Sequence, residues 1–337
     1  MSQRYRSLLL VTLLTLVTLM SGCSGDTDDD ALVLYNAQNQ NLMKSLTKAF
    51  TDETGIAVRI RGGGDSELSN QLIQESGKSP ADVFTTENST AMAQVDRADL
   101  FAPLQPQALE GVPTQYVSGR KTWVGVAARS TVLVYNPSNL PAAELPASML
   151  DLSQPSWKGR FGYAPTGADF QAIASSVFAL EGDAAGESFV QGLKDNGKTY
   201  ANNIAILKAV NNGEIPAGII YHYYWFQDRA NAGADSRNTE LHYFGDQDAG
   251  AYLSVAGAGV LASSKRAERA QRFVSFLASR KGQEVLAGSK DLQYAITNDV
   301  ASNPVLKPIP ELEAPVVPLD QLDGPKVLAA FRKVGIL

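Results

Sequence analysis

The sequence predicts an α/β protein of two lobes, each a mixed sheet flanked by helices, with a ligand cleft at the hinge. Three observations carry this expectation. The amino-terminal third alternates apolar, strand-like runs with amphipathic, helix-like ones, a βαβ rhythm that favours a parallel sheet covered by helices. Roughly 300 residues follow the leader, more than one hydrophobic core usually accommodates. Two long apolar runs, at 122–137 and 250–264, stand where strands leaving one sheet would enter another, and such crossings hinge two lobes about a cleft.

In chain order, "ALVLYNA" (31–37) reads as a strand. The segment 41–55 reads as a helix, with Leu42, Leu46, Ala49 and Phe50 on one face and Gly55 as its stop. "IAVRI" (56–60) is strand-like, and the glycine turn after it leads to a helix that Asp65 or Ser66 is expected to cap. "PADVFTTE" (80–87) reads as a buried strand whose carboxyl end carries Glu87, at the sheet edge where open α/β folds bind ligands. "TWVGVAARSTVLVYNP" (122–137) holds two consecutive strand-like runs. A strand, a loop and a helix follow over 159–182, and the loop "PTGAD" offers free backbone N–H groups that favour an anion. Helix, turn at Gly213 and strand span 202–220; an amphipathic helical region covers 267–288; a proline-rich tail wraps the surface after Asn303. The lobes are expected over 31–130 with about 254–304, and over 131–253 with about 305–337.

Residues 1–22 read as a lipoprotein signal peptide. "MSQRYR" is a basic start, "SLLLVTLLTLVTLM" an apolar stretch, and "MSGC" a run of small residues ending in Cys23. That ending resembles a bacterial lipobox, although Met20 stands where leucine is more usual. The apolar run is short for a membrane span. Cys23 is the expected lipidation site and the sole cysteine, which excludes an intramolecular disulfide, a cysteine-based zinc site and an iron–sulfur cluster. Residues 23–30 read as an acidic, solvated tether. An exported chain anchored by lipid at a membrane, facing the periplasm or cell exterior, is therefore expected.

Composition narrows the function. The formal net charge is −6 before the signal's two arginines are removed, and no basic block or helix suits nucleic acid. The glycines 62–64 lack the lysine and hydroxyl residue of a phosphate loop. Only His222 and His242 are histidines, and neither a G-x-S-x-G elbow nor an H-E-x-x-H helix occurs. An enzyme is not expected; an extracytoplasmic enzyme is the alternative reading from another class, without a recognisable catalytic set.

The run "AGIIYHYYWFQDRA" (217–230) is the least ordinary stretch. Adjacent strand residues point to opposite faces, so Tyr223 and Tyr224 cannot fill one core from a regular strand. Two readings stand on the residues alone. The aromatics line a cleft for stacking or fill a core. Alternatively the two phenols, with Glu87, give hard anionic oxygens to a highly charged cation such as Fe(III).

The motifs "LYNAQNQ", "ADVFTTEN", "WVGVAARSTVLVYNP", "APTGADF", "NNIAILKAVNNGEIPAGIIYHYYW" and "YFGDQDAGAYLSVAGAGVLASSKRAERAQRFVSFL" resemble the periplasmic ferric-ion-binding proteins of bacterial ABC importers, over essentially all of 31–337. The resemblance implies a monomeric, two-lobed periplasmic-binding-protein fold that closes on Fe(III) and delivers it to an inner-membrane permease. It implies Tyr223 and Tyr224 as metal ligands and Glu87 as a further one. It implies an anion, carbonate or phosphate, held by Thr166, Gly167 and Ala168 with Asn203, Arg129 and Tyr221 nearby. One departure is plain: Asn39 stands where many members place a histidine ligand, and an amide oxygen is a weaker donor to Fe(III). That departure leaves room for an organic ligand such as a phosphonate, a polyamine or thiamine.

Overall fold

The structure is a computed structural model and describes residues 30–337. The signal peptide, Cys23 and the tether up to residue 29 lie outside the described residues. No helix among the described residues is long and apolar enough to cross a membrane.

The chain opens as the periodicity predicts. β1 (Leu32–Asn36), α1 (Gln40–Thr54) and β2 (Val58–Gly62) form a βαβ unit with the strands parallel, Leu32 opposite Val58. α1 buries Leu42, Met43, Leu46 and Phe50, and it stops at Gly55, whose φ of 72° is left-handed and whose N–H returns to the Thr51 carbonyl. α2 (Asp65–Glu75) departs from expectation at its start. Gly64 holds the cap position, so Asp65 is the first helical residue and its buried carboxylate is free for other partners. β3 (Val83–Thr85) is shorter than predicted and fully buried, and α3 (Ser89–Arg97) follows.

The crossing strand is one element rather than two. β4 (Trp123–Tyr135) runs 13 buried residues, with a register irregularity between Gly125 and Ala127. No proline interrupts it, so nothing in the local sequence breaks the ladder. Up to Ser130, β4 pairs with β9 (Leu253–Val260); from Thr131 it pairs with β7 (Ala217–Tyr221), and β8 (Glu240–His242) joins its end from the other side. β5 (Phe161–Tyr163), α4 (Ala168–Asn196), β6 (Lys198–Thr199), α5 (Asn203–Asn211) and α6 (His222–Ala230) complete this half. The strand order is β2-β1-β3-β9-β4-β7-β5-β6, so two mixed groups of strands meet along β4. Among the described residues β9 itself pairs only with β3 and β4. The second passage between halves is thus made by the chain just before it, through the short turn Ala249–Ala251.

Two further differences have local causes. The predicted helical region at 267–288 is two helices, α7 (Ala267–Ala278) and α8 (Arg280–Ala287). Ser279 is extended between them and its hydroxyl caps α8 by accepting from Gly282 N–H. The tail contains an unpredicted helix, α9 (Gly324–Val334), capped by Asp323 and packed on α4. Arg97 Nη1 on α3 donates to the carbonyls of Asp320 (3.3 Å) and Leu322 (3.0 Å), tying that tail to the first half.

Beneath α5 lies a compact apolar cluster of Val132, Val134, Ile206, Leu207, Val210 and Ile220. Gly218 allows α5 to approach β7 this closely, because an added Cβ would clash with Ile206 Cγ2. Gly218→Ala is expected to cost about 1–3 kcal/mol by overpacking, read as a lower melting temperature. An unchanged melting temperature would show that α5 shifts freely on the sheet.

Candidate functional site

β7 delivers the aromatic run to the junction of the two halves and turns directly into α6. The turn is fixed by His222, the first residue of the helix. Its Nδ1 accepts from Ser130 N–H (3.1 Å), so Nε2 carries the proton and donates to the Leu292 carbonyl (2.9 Å). Burial lowers the pKa of this ring to about 3, and it stays neutral. Both nitrogens are engaged by backbone, so neither is left for a ligand. Because the next residues are helical, side chains step round the axis by about 100° each. Tyr223 and Tyr224 are therefore not thrown to opposite faces. Their rings stack with centroids 4.1 Å apart and planes at 30°.

Beside them lies a buried polar network centred on Asn88, the cap residue of α3. Its Nδ2 donates to Asp65 Oδ2 (2.8 Å) and Asp169 Oδ1 (3.2 Å). Its Oδ1 accepts from Arg129 Nη2 (3.0 Å), Ser254 Oγ (3.0 Å) and Tyr221 O–H (3.4 Å). Arg129, on β4, is fully buried; its Nη1 lies 3.4 Å from Asp169 Oδ1 and 3.5 Å from Glu87 Oε2. The guanidinium carbon stands 4.9 Å from the centre of the Tyr221 ring, a cation–π arrangement. Asp169, in the first turn of α4, accepts at Oδ2 from Asn203 Nδ2 (2.9 Å) and from Tyr224 O–H (2.9 Å). Glu87 is placed by its own backbone, whose N–H donates to Asp65 Oδ1 (3.0 Å).

Burial dominates the electrostatics. It pushes the Glu87 carboxyl up to about 8, with Arg129 pulling down and Asp169 and Asp65 pushing further. It pushes Asp65 to about 6 against the Asn88 hydrogen bond and the Arg129 charge. For Arg129, burial works against the charge, but Asp169 and Glu87 outweigh it and hold the guanidinium above its ordinary range. Tyr223 is raised well above a free phenol by burial, then by Asp169. Tyr224 is raised by burial and Asp169, while hydrogen bonds with Tyr223 and Asn203 pull the other way. The phenols are neutral at pH 7, and a metal that bound them would have to displace their protons.

Of the residues singled out in the sequence, Tyr221, Tyr223, Tyr224, Glu87, Arg129 and Asn203 come together here. Gly167 caps α4 without a side chain, and its N–H is committed to the Ala164 carbonyl (3.1 Å). Ala168 begins that helix, and Thr166 beside it is exposed. Asn39 instead caps α1: its Oδ1 accepts from the N–H groups of Asn41 (2.8 Å) and Leu42 (3.2 Å). The reading of the sequence missed Asp65, Asn88 and Asp169. A signal was present for the last, since an acidic residue in the first helical turn complements the helix dipole. Among the described residues no three His, Cys, Asp or Glu gather as a metal-binding group.

Known proteins share this arrangement of strands and helices. The family described as bacterial extracellular solute-binding protein matches residues 78–318. The chain is 48% identical over 316 residues to the Fe(3+)-binding periplasmic protein of Serratia marcescens, covering 94% of each. It is 38% identical over 291 residues to the major ferric iron-binding protein of Neisseria meningitidis serogroup A, covering 85% of this chain and 87% of that one. Iron-bound HitA from Pseudomonas aeruginosa superposes with a TM-score of 0.84 at 41% identity, over 90% of this chain and 99% of that one. The two-lobed binding-protein fold expected from the sequence is the fold these likenesses share.

Replacing Arg129 by methionine strands the buried carboxylate of Asp169 and removes the cation beside the half-buried Glu87. Arg129→Met is expected to lower unfolding stability by about 3–5 kcal/mol, measured by urea denaturation. A loss below about 1 kcal/mol, the scale of an exposed pair, would show that the carboxylates do not depend on it.

Proposed function

Because the chain belongs to the bacterial extracellular solute-binding protein family, we propose that it captures Fe(III) between its lobes and delivers it to an inner-membrane ABC permease. The names of the relatives support the cargo. The observation that carries the reading is the stacked pair Tyr223 and Tyr224, set beside Glu87 and Asp169 at the junction of the two strand groups. Phenolate and carboxylate oxygens are hard donors that suit a small, highly charged cation. Glu87 and the phenols approach from opposite halves, so closure of the lobes about β4 assembles the donors.

In this reading Tyr223 and Tyr224 bind the ion directly, Glu87 adds a carboxylate, and a further anionic donor stands at the start of α4. Carbonate and phosphate are the external candidates for that donor, with Asn203, Arg129, Tyr221 and the Thr166–Ala168 backbone around it. Asn39 has no part, its oxygen being held in the α1 cap. The chain acts as a monomer, anchored through lipid on Cys23 and facing the periplasm or cell exterior. An organic ligand recognised by Arg129 is not favoured, because that guanidinium is fully buried among Asp169, Glu87 and Asn88.

Loading with ferric iron is expected to give a visible tyrosinate-to-iron charge-transfer band. The double substitution Tyr223→Phe with Tyr224→Phe abolishes the band, and an undiminished band would remove these residues from the site. Binding also releases acid. Each phenol gives up a proton, and Glu87, raised to about 8, gives up a third at lower pH. Affinity therefore rises with pH. Proton release, corrected for the chelate that supplies iron, is expected to be about three per ion near pH 6.5 and about two above pH 9. Release of fewer than one proton would contradict phenolate ligation.

A further inference from the structure

The strand β9 has a second face with a lining of its own. Ser254 Oγ donates to Asn88 Oδ1 (3.0 Å) on the side of the candidate site. Its neighbours Leu253 and Val255 point the other way, as alternation along a strand requires, and they floor a crevice of about 220 Å³. The first half supplies Gln115 and Tyr116 to its walls, the second half supplies Gln247, and the tail crosses it between Ile309 and Leu319. The candidate site and the crevice therefore stand on opposite faces of one hinge.

The lining has a charge preference. Glu313 is the one charged residue in it. Its Oε2 accepts from Asp246 N–H (3.1 Å), and among the described residues no cation pairs with it. The Glu313 carbonyl accepts from Gln247 N–H (2.9 Å) and Nε2 (3.2 Å). These bonds hold a costly backbone, because Gly245, Asp246, Gln247 and Glu313 are all left-handed, with φ of 78°, 49°, 60° and 50°. Strain of that kind collects at ligand clamps and switch regions. Most of the remaining lining is apolar, and Val316 in it is 60% exposed. A carboxylate above an apolar floor disfavours an anion and complements an ammonium group on an apolar body. The volume lies below the ~300–1,000 Å³ of drug-sized sites, so that body has about ten non-hydrogen atoms or fewer.

We propose that this crevice is a second binding site, taking a small organic cation with its ammonium at Glu313 and its apolar body on Leu253 and Val255. Because the walls come from both halves, a rotation that opens the cleft in front narrows the crevice behind. An occupant resists that rotation and favours the state in which Asn88 bridges to Asp169 and Tyr221. The consequence for transport rests on the Fe(III) reading: the cation slows release of bound iron, and by reciprocity iron tightens the cation.

The test titrates the iron-free protein with 2-phenylethylamine, protonated at neutral pH, and with its uncharged counterpart 2-phenylethanol. Methyl NMR signals of Leu253, Val255 and Val317 report binding. The amine is expected to give saturable shifts with a Kd below about 1 mM, within reach of so small a ligand. The alcohol binds about fivefold more weakly, the scale of an ion pair open to water. Glu313→Gln keeps an acceptor for Asp246 N–H and removes that difference, and Ala314→Trp, which fills the crevice, abolishes binding of both. Shifts that do not saturate, equal affinity for amine and alcohol in the wild type, or an undiminished preference in a folded Glu313→Gln protein overturn the site. At saturating amine the iron-loaded protein is expected to lose iron to a competing chelator about fivefold more slowly, the low end of coupling between sites; an unchanged rate overturns the link between them. A protein that takes up no iron refutes instead the reading of the cargo, and the titration still decides the site.

Discussion

The architecture of the cleft depends on one buried positive charge. Arg129 sits on the strand shared by both halves, with no exposure to water. A guanidinium in that position is costly unless partners surround it. Asp169 comes from α4, Glu87 from the end of β3, Asn88 from the start of α3, and the Tyr221 ring from β7. Satisfying Arg129 therefore gathers four elements at one point, and the aromatic run of α6 is drawn in through Asp169 and Tyr224.

The same constraint explains why the site can be both assembled and reactive. Carboxylates around Arg129 are balanced by it only in part, which is why burial still pushes Glu87 toward the neutral form. The phenols next to them are pushed the same way. In the proposed reading a trivalent ion displaces those protons and compensates the negative charge that burial alone disfavours. His222 contributes by position alone: it pins the β7–α6 junction to β4 and to Leu292, and so sets where the next two side chains point.

Much of the fold was legible because periodicity and punctuation agree. The βαβ opening, Gly55 as a stop, and the helix, turn and strand of 202–220 follow from apolar spacing and glycine position. What escaped has identifiable causes. α9 follows a stretch dense in proline, which masks an amphipathic helix that starts only after Asp323 caps it. Ser279 divides α7 from α8 through its capping hydroxyl, a choice that the apolar pattern on either side does not reveal. At the site, residue types and strand ends pointed to Tyr223, Tyr224 and Glu87, and the family resemblance to Arg129. Asp169, the partner shared by Tyr224 and Arg129, did not stand out, because "PTGAD" was read for its backbone N–H groups and Asp169 acts through its side chain. Asn88 is a hub only because residues from 65 to 254 converge on it in space, and no local pattern announces that.

In the proposed reading, hard oxygens from Tyr223 and Tyr224 hold Fe(III) at the junction of the lobes. Resonance Raman spectroscopy of the iron-loaded protein, excited within its visible absorption, tests it most directly. Enhanced tyrosinate ring vibrations that shift when the protein is grown with ring-deuterated tyrosine are the predicted result. Bound iron with no tyrosinate vibrations would contradict it.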